Sequence, residues 1–201
     1  MKALVYKSTG SWYQLKNEAG DLLNARIKGK FKIDGITSTN PIAVGDWVEV
    51  DEEENLDSLV IHHIYARRNY ITRQSPHNKH LHHIVAANID QSLLLVTLRS
   101  PKTSMGFIDR FLVASEAYHV PPIIVFNKSD LYREREMELY QRLKLIYEKI
   151  GYQVLLMSLA KGIGLTEIER ILKDKTTLLS GHSGVGKSSF INIIEPDKSL
   201  R

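Results

Sequence analysis

The sequence predicts a small β barrel followed by an α/β domain built on a parallel sheet. Three observations predict it. Residues up to about Arg73 read as short strands cut by turn clusters, with no convincing helix. From Ile89 onward, buried strand runs and amphipathic helix patterns alternate four times. Near the end, "GHSGVGKSS" (Gly181–Ser189) fits G-x-x-x-x-G-K-[ST] between a strand and a helix.

The strands of the first part are KALVYK, SWYQLKN, DLLNARI, GKFKI, DWVEV and SLVIHHI, separated by clusters such as NEAGD and STNPIAVG. Short strands with glycine-rich turns close into a barrel or a sandwich. In ARIKGKFKI, Arg26, Lys28, Lys30 and Lys32 alternate with Ile27, Gly29, Phe31 and Ile33. A strand has a side-chain period of two, so the four cations share one face. Two readings stand: an outer face kept soluble by charge, or a phosphate-contacting RNA surface on an oligonucleotide-binding barrel. The acidic run Asp51–Glu54 offsets the basic strand in net charge, so any basic surface is local.

The segment SPHNKHLHH (Ser75–His83) is polar and reads as a connection. His77, His80, His82 and His83 lack a cysteine or carboxylate at zinc-site spacing, so no metal is expected there. The expected domains are residues 1–73, a linker over 74–85, and the α/β domain over 86–201. In that last part IDQSLLLVTL, PPIIVF, YQVLLMS and TTLLS read as strands. IDRFLVASEAYH, REREMELYQRLKLIYEKIG, LTEIERILK and KSSFINII read as helices. The second helix is expected to bury Leu139, Leu143, Ile146 and Ile150 and to stop at Gly151.

Composition bounds the function. The 201 residues are 43% hydrophobic, enough for proper cores. There is no cysteine, which excludes disulfides and cysteine-bound zinc and fits a reducing cytoplasm. The opening MKALVYKSTGSW is not a signal peptide, and runs such as Leu93–Val96 are too short to span a bilayer, so no membrane role is expected. A net charge of +4 permits an anionic partner without requiring one.

The phosphate-loop motif sits after TTLLS and opens a helix at Lys187. Its N–H groups, from Gly181, His182, Ser183, Gly184, Val185, Gly186, Lys187, Ser188 and Ser189, are expected to face nucleotide phosphates at a helix N-terminus. Lys187 supplies a charge for the β- and γ-phosphates, and the Ser188 hydroxyl is the expected Mg²⁺ ligand; these two carry the catalytic role. A second motif, FNKSD, follows the strand PIIVF and places Asn127, Lys128, Ser129 and Asp130 at the sheet edge where ligands bind. A carboxylate offers two acceptors. Guanine presents two adjacent donors, N1–H and its amino group, and adenine does not, so Asp130 is expected to select guanine. SLAKGIG follows the next strand, and Ser158, Leu159 and Ala160 are expected to support the base. The motif order is base, support, phosphate, whereas the phosphate loop usually comes first. Joining old termini and cutting new ones gives this order on the same sheet.

A permuted order behind a small β domain resembles the ribosome-small-subunit-dependent GTPases of the RsgA/YjeQ type. VGDWVEV (Val44–Val50), AANIDQSLLLV (Ala86–Val96), IDRFLVASE (Ile108–Glu116), NKSD and GHSGVGKSSFIN (Gly181–Asn192) carry the resemblance. It implies an OB-fold β barrel followed by an α/β P-loop GTPase domain with a parallel sheet in circularly permuted order. It implies GTP hydrolysis with Mg²⁺, GTP/GDP and the small ribosomal subunit with its rRNA as partners, and a cytoplasmic monomer. It also implies switch segments and a zinc-binding C-terminal domain beyond the phosphate-loop helix; the printed residues hold no site for that zinc. Two other readings stand beside it, a non-hydrolysing guanine-nucleotide-responsive RNA-binding module and an ATP-using phosphate-loop kinase. Asp130 behind Asn127 and Lys128 counts against the kinase.

Overall fold

Alternating apolar residues close the first part of the chain into a barrel. In the computed structural model, which describes residues 1–27, 41–52, 58–74 and 82–196, the chain forms two compact units, Met1–Ile89 and Asp90–Arg201. The first unit holds β1 (Lys2–Thr9), β2 (Trp12–Asn17), β3 (Leu22–Ile27), β4 (Trp47–Asp51) and β5 (Leu59–Ile64). They pair in the order β1-β2-β3-β5-β4, and β4 returns antiparallel to β1 to complete the closure. Ala3 and Val5, Tyr13 and Leu15, and Val48 and Val50 point inward at every second position and pack with Ala25, Ile42 and Ile61. This five-stranded closed topology is that of an oligonucleotide-binding barrel. Lys28, Lys30, Lys32 and the GKFKI strand lie outside the described residues, as do His77 and His80.

β6 (Tyr70–Gln74) and β7 (His82–Ala87) form an antiparallel pair in the same unit. The described part of the expected linker therefore includes a strand. Its alternation is masked in the sequence by consecutive histidines and alanines. Gly45 explains why VGD precedes β4. A Cβ there would lie 2.1 Å from the Ala87 carbonyl oxygen, at φ +91°, so only glycine admits this approach. Ala87 N–H donates to Val44 O at 2.9 Å, and Asn88 Nδ2 donates to Gly45 O at 2.8 Å. The next residue, Asp46, is fully buried. Its carboxylate accepts from Ala43 N–H (2.8 Å) and from Arg67 Nε (2.7 Å) and Nη2 (2.6 Å).

The second unit is a sheet of four parallel strands among the described residues: β8 (Gln91–Val96), β9 (Pro122–Phe126), β10 (Gln153–Leu156) and β11 (Thr177–Ser180). Their order is β10-β9-β8-β11. The central strands β8 and β9 bury both faces. Leu94, Val96, Ile124 and Phe126 face α1 (Met105–Ala117) and α2 (Glu134–Ile150). Leu93, Leu95, Ile123 and Val125 face α3 (Leu165–Leu172) and α4 (Lys187–Ile194). The chain leaves β8 for one face and β11 for the other, so the crevice at their carboxyl ends is the switch point of the sheet.

Two residues at the opposite, amino ends of β8 and β11 fix their register. Buried Gln91 donates from Nε2 to Ile171 O (3.0 Å) and Thr177 Oγ1 (2.9 Å). Asp90 accepts from Thr176 N–H at 2.7 Å. β11 then runs beside β8 with Ser180 opposite Leu94.

The α2 stripe differs from expectation. Its buried residues are Tyr140, Leu143 and Tyr147, while Ile146 and Ile150 are 44% and 63% exposed. Leu143 is buried as expected and Leu139 packs partly buried against the core, but Tyr140 and Tyr147 take the places expected of the isoleucines. Tyrosines fill the stripe because their rings pack: the Tyr140 ring meets Phe126 edge-on, and the Tyr147 hydroxyl finds a partner by donating to Asp109 at 2.8 Å. Gly151 ends the helix in the left-handed region, as expected.

Arg67→Ala should destabilise the barrel by about 3–5 kcal/mol, because it leaves the Asp46 carboxylate buried without its cation. Replacing both partners with apolar residues should cost less. Both tryptophans, Trp12 and Trp47, lie on barrel strands, so urea unfolding followed by fluorescence reads the effect directly. An unchanged midpoint in Arg67→Ala would show that the pair does not hold the barrel.

Candidate nucleotide site

The strand β11 ends at Ser180, the loop turns, and α4 begins at Lys187, as the motif requires. Val185 is fully buried and plugs the loop into the core between β8 and α4. His182, Ser183, Gly184, Ser188 and Ser189 are exposed. Lys187 does not extend into solvent. Its Nζ donates to Gly181 O (2.8 Å) and His182 O (2.7 Å), so the ammonium lies across the start of the loop. The helix N-terminus and the lysine put positive potential on one surface.

The base motif is physically joined to this loop. Asn127 is 1% exposed, and its Nδ2 donates to Val185 O at 2.8 Å. A Cβ on Gly186 would sit 2.6 Å from that Nδ2, which explains a glycine at φ +103° immediately before the lysine. Asn127 Oδ1 and Ser129 Oγ are buried with no hydrogen-bond partner in the structure, the kind of polar atoms a ligand or water satisfies. Lys128 takes the left-handed conformation, and its Nζ donates to Ser100 O at 2.6 Å. Asp130 is exposed, and its Oδ1 accepts from the Ser158 hydroxyl. Ser158 is fully buried and caps the short 3-10 turn Leu159–Lys161, which holds Leu159 and Ala160 beside the base motif. The structure thus brings together the loops carrying Asn127, Asp130, Ser158 and Val185.

The sequence reading missed the third wall. The connection from β8 to α1, Thr97–Ser104, is cross-braced by Thr103 N–H to Thr97 O (2.8 Å) and Thr97 N–H to Thr103 Oγ1 (3.1 Å). It delivers Ser100 O to Lys128, and it brings Pro101 against Gly184, with Pro101 Cδ 3.4 Å from where a Cβ there would stand. Tyr132 was also missed. Its hydroxyl donates to Asn127 O (2.8 Å) and accepts from Leu98 N–H (3.1 Å). No spacing rule marks these residues, because they act through single backbone carbonyls, one packing contact and one buried hydroxyl.

On the barrel, Arg26 pairs across strands with Trp12, and its guanidinium lies 5.6 Å from the Trp12 ring centroid. Among the described residues no group of three or more His, Cys, Asp or Glu is placed to hold a metal ion. No helix among them is long and apolar enough to cross a membrane.

Comparison with known proteins matches residues 64–201 to the RsgA GTPase family and residues 2–60 to the RsgA N-terminal domain. The chain is 52% identical to a small ribosomal subunit biogenesis GTPase RsgA of Cytophaga hutchinsonii over 197 residues, 96% of this chain and 63% of that protein. It is 48% identical to the Flavobacterium psychrophilum protein of the same name, covering all of this chain and 62% of that one. The chain therefore spans about 62–63% of the length of these relatives. Among solved structures it is similar to YjeQ from Thermotoga maritima (TM-score 0.81, 33% identity, all of this chain and 66% of that one). It is also similar to YloQ, described as a circularly permuted GTPase (TM-score 0.71, 30% identity, all of this chain and 66% of that one). The sheet of the second unit accordingly has the circularly permuted order.

Burial raises the Tyr132 hydroxyl from its ordinary value of 10 to about 12. A raised acid pKa favours the neutral folded form, so the associated stability is complete below pH about 10 and is lost as pH climbs toward about 12. Tyr132→Phe should cost about 1–2 kcal/mol at neutral pH by removing both hydrogen bonds. It should also show a shallower loss of stability than the parent between those pH values. Parallel curves from denaturant titrations across that range would remove Tyr132 as the titrating group.

Proposed function

This chain belongs to the RsgA GTPase family, and from that premise we propose that it binds guanine nucleotides and hydrolyses GTP in the maturation of the small ribosomal subunit. The observation that carries the proposal is the hydrogen bond from Asn127 Nδ2 to Val185 O, which joins the base motif to the phosphate loop at the switch point of the sheet. In this reading the N–H groups of Gly181–Ser189 wrap the phosphates, and Lys187 meets the β- and γ-phosphates. Ser188, exposed in the first turn of α4, offers a single hydroxyl. That suits Mg²⁺, which keeps several waters and phosphate oxygens and takes few protein ligands. When bound, the ion would supply neutralisation of the phosphate charge.

Asp130 reads the guanine N1–H and amino group. Ser158 holds one carboxylate oxygen in place, so the carboxylate is oriented before the base arrives. Ser129, Leu159 and Ala160 complete the base's surround. The barrel face around Arg26 and Trp12 is the proposed contact for ribosomal RNA, with a cation for phosphate and a ring for a base. The names of the relatives, small ribosomal subunit biogenesis GTPase, support the ribosomal partner. The proposed form is a cytoplasmic monomer.

Asp130→Asn tests the base. Xanthine carries a carbonyl where guanine carries its amino group. The amide accepts from N1–H and donates to that carbonyl, while the native carboxylate would face it acceptor to acceptor. An unsatisfied buried polar group costs about 1–3 kcal/mol, so the preference between GDP and XDP should swing by about ten- to a hundred-fold. Dissociation constants for both nucleotides on both proteins give the answer. A folded variant that keeps its GDP preference removes Asp130 from base reading.

Turnover separates the enzyme from a binding module. Phosphate release from GTP should rise on adding small ribosomal subunits and should vanish in Lys187→Ala. GDP binding without any release would leave a non-hydrolysing guanine-nucleotide module.

A further inference from the structure

The side chains of Phe107 and His182 have no part in the roles assigned above, yet their rings meet. Phe107 lies in the first turn of α1, where its N–H donates to the Ser104 hydroxyl at 3.3 Å. His182 is the second residue of the phosphate loop. The ring centroids are 3.8 Å apart with planes 32° from parallel, a tilted stack. The His182 carbonyl is also one of the two that hold Lys187 Nζ, at 2.7 Å. So the residue whose ring rests on α1 is the residue whose backbone anchors the lysine. The same stretch of chain touches the loop again through Pro101 at Gly184 and takes Lys128 at Ser100 O.

We infer that the Phe107–His182 stack is a latch that holds the phosphate loop in its ligand-accepting shape, which makes both residues positioning residues for the nucleotide. The inference rests on the guanine-nucleotide reading above. Lys187 stays across the loop only while the carbonyls of Gly181 and His182 keep their orientation. A free His182 side chain lets the peptide between them turn, and the lysine then recovers rotamer freedom that nucleotide binding must remove again. A flat ring stacked on Phe107 prevents that turn. What His182 contributes is ring shape, not charge, so another aromatic of similar size serves equally.

The test is the dissociation constant of fluorescently labelled GDP, measured on the 201-residue chain. Phe107→Ala and His182→Ala should each weaken binding by about three- to ten-fold, the range of a single aromatic pair. Phe107→Leu keeps apolar burial without the ring and should weaken binding like Phe107→Ala while preserving the fold. His182→Phe should restore parental affinity, and the double alanine variant should bind no worse than either single. A His182→Phe protein as weak as His182→Ala, or a double variant whose loss is the product of the two, overturns the latch. If folded parent protein binds no GDP, the nucleotide reading falls and takes the latch with it. If the parent binds and the single variants match it, the latch alone falls.

Discussion

The hydrogen bond from Asn127 Nδ2 to Val185 O is the interaction on which the second unit's site depends. Asn127 stands where three elements converge. Its N–H donates to Val96 O at the end of β8, its carbonyl accepts from Tyr132, and its amide reaches the phosphate loop. A single hydrogen bond contributes only about 1 kcal/mol net. These three share one buried residue, and in a low-dielectric site an unmade bond costs more than a made one gains. The positions of the base motif and phosphate loop are therefore set together. Gly186 is the complementary constraint, since any side chain there would strike the Asn127 amide.

That coupling explains why the motif order along the chain is free to change. A parallel sheet needs each strand in its place with its register, and the order in which the chain visits them is secondary. The crossover from β10 through α3 to β11 carries the chain from one edge of the described sheet to the other. On arrival, β11 must line up with β8 to within one residue, because a slip reverses every side chain. Gln91 and Asp90 do this through hydrogen bonds to Ile171, Thr176 and Thr177. The phosphate loop then emerges beside Asn127, although it comes last in the sequence.

Much of this was legible in the residues, for physical reasons that differ by element. Buried strands such as β8 and β9 announce themselves as apolar runs, and the loop motifs are rigid because backbone geometry demands glycine at fixed offsets. In α2 the sequence shows Leu139 and Leu143 but hides Tyr140 and Tyr147, because tyrosine counts as polar by its hydroxyl and as core by its ring; both tyrosines behave as core. β7 was hidden because its contacts are supplied by distant partners, β6 and Val44, and not by its own pattern. Thr97–Ser104 was invisible as part of the site. Its contribution is one carbonyl for Lys128 and one proline ring for Gly184, and neither has a spacing signature. Asp46 was visible as part of a resemblance, but its role as a buried anion paired with Arg67 needed the fold.

The lysine at the loop shows how such a site prepares for its ligand. An ammonium has three donors and no acceptor. Gly181 O and His182 O use two of them on Lys187, which leaves one N–H for a phosphate oxygen without breaking either bond. A free lysine side chain carries about 2 kcal/mol of rotamer entropy. Here most of that freedom is already gone before any phosphate docks, and the cost was met in folding rather than in binding. The same carbonyls keep the charge close to the start of α4, so the ammonium and the helix N-terminus put their positive potential on one surface. The arrangement is selective as well. In the proposed reading, the donor left on Lys187 and the N–H groups of the loop favour a compact multiply charged anion over a carboxylate, whose charge is too small to draw on both.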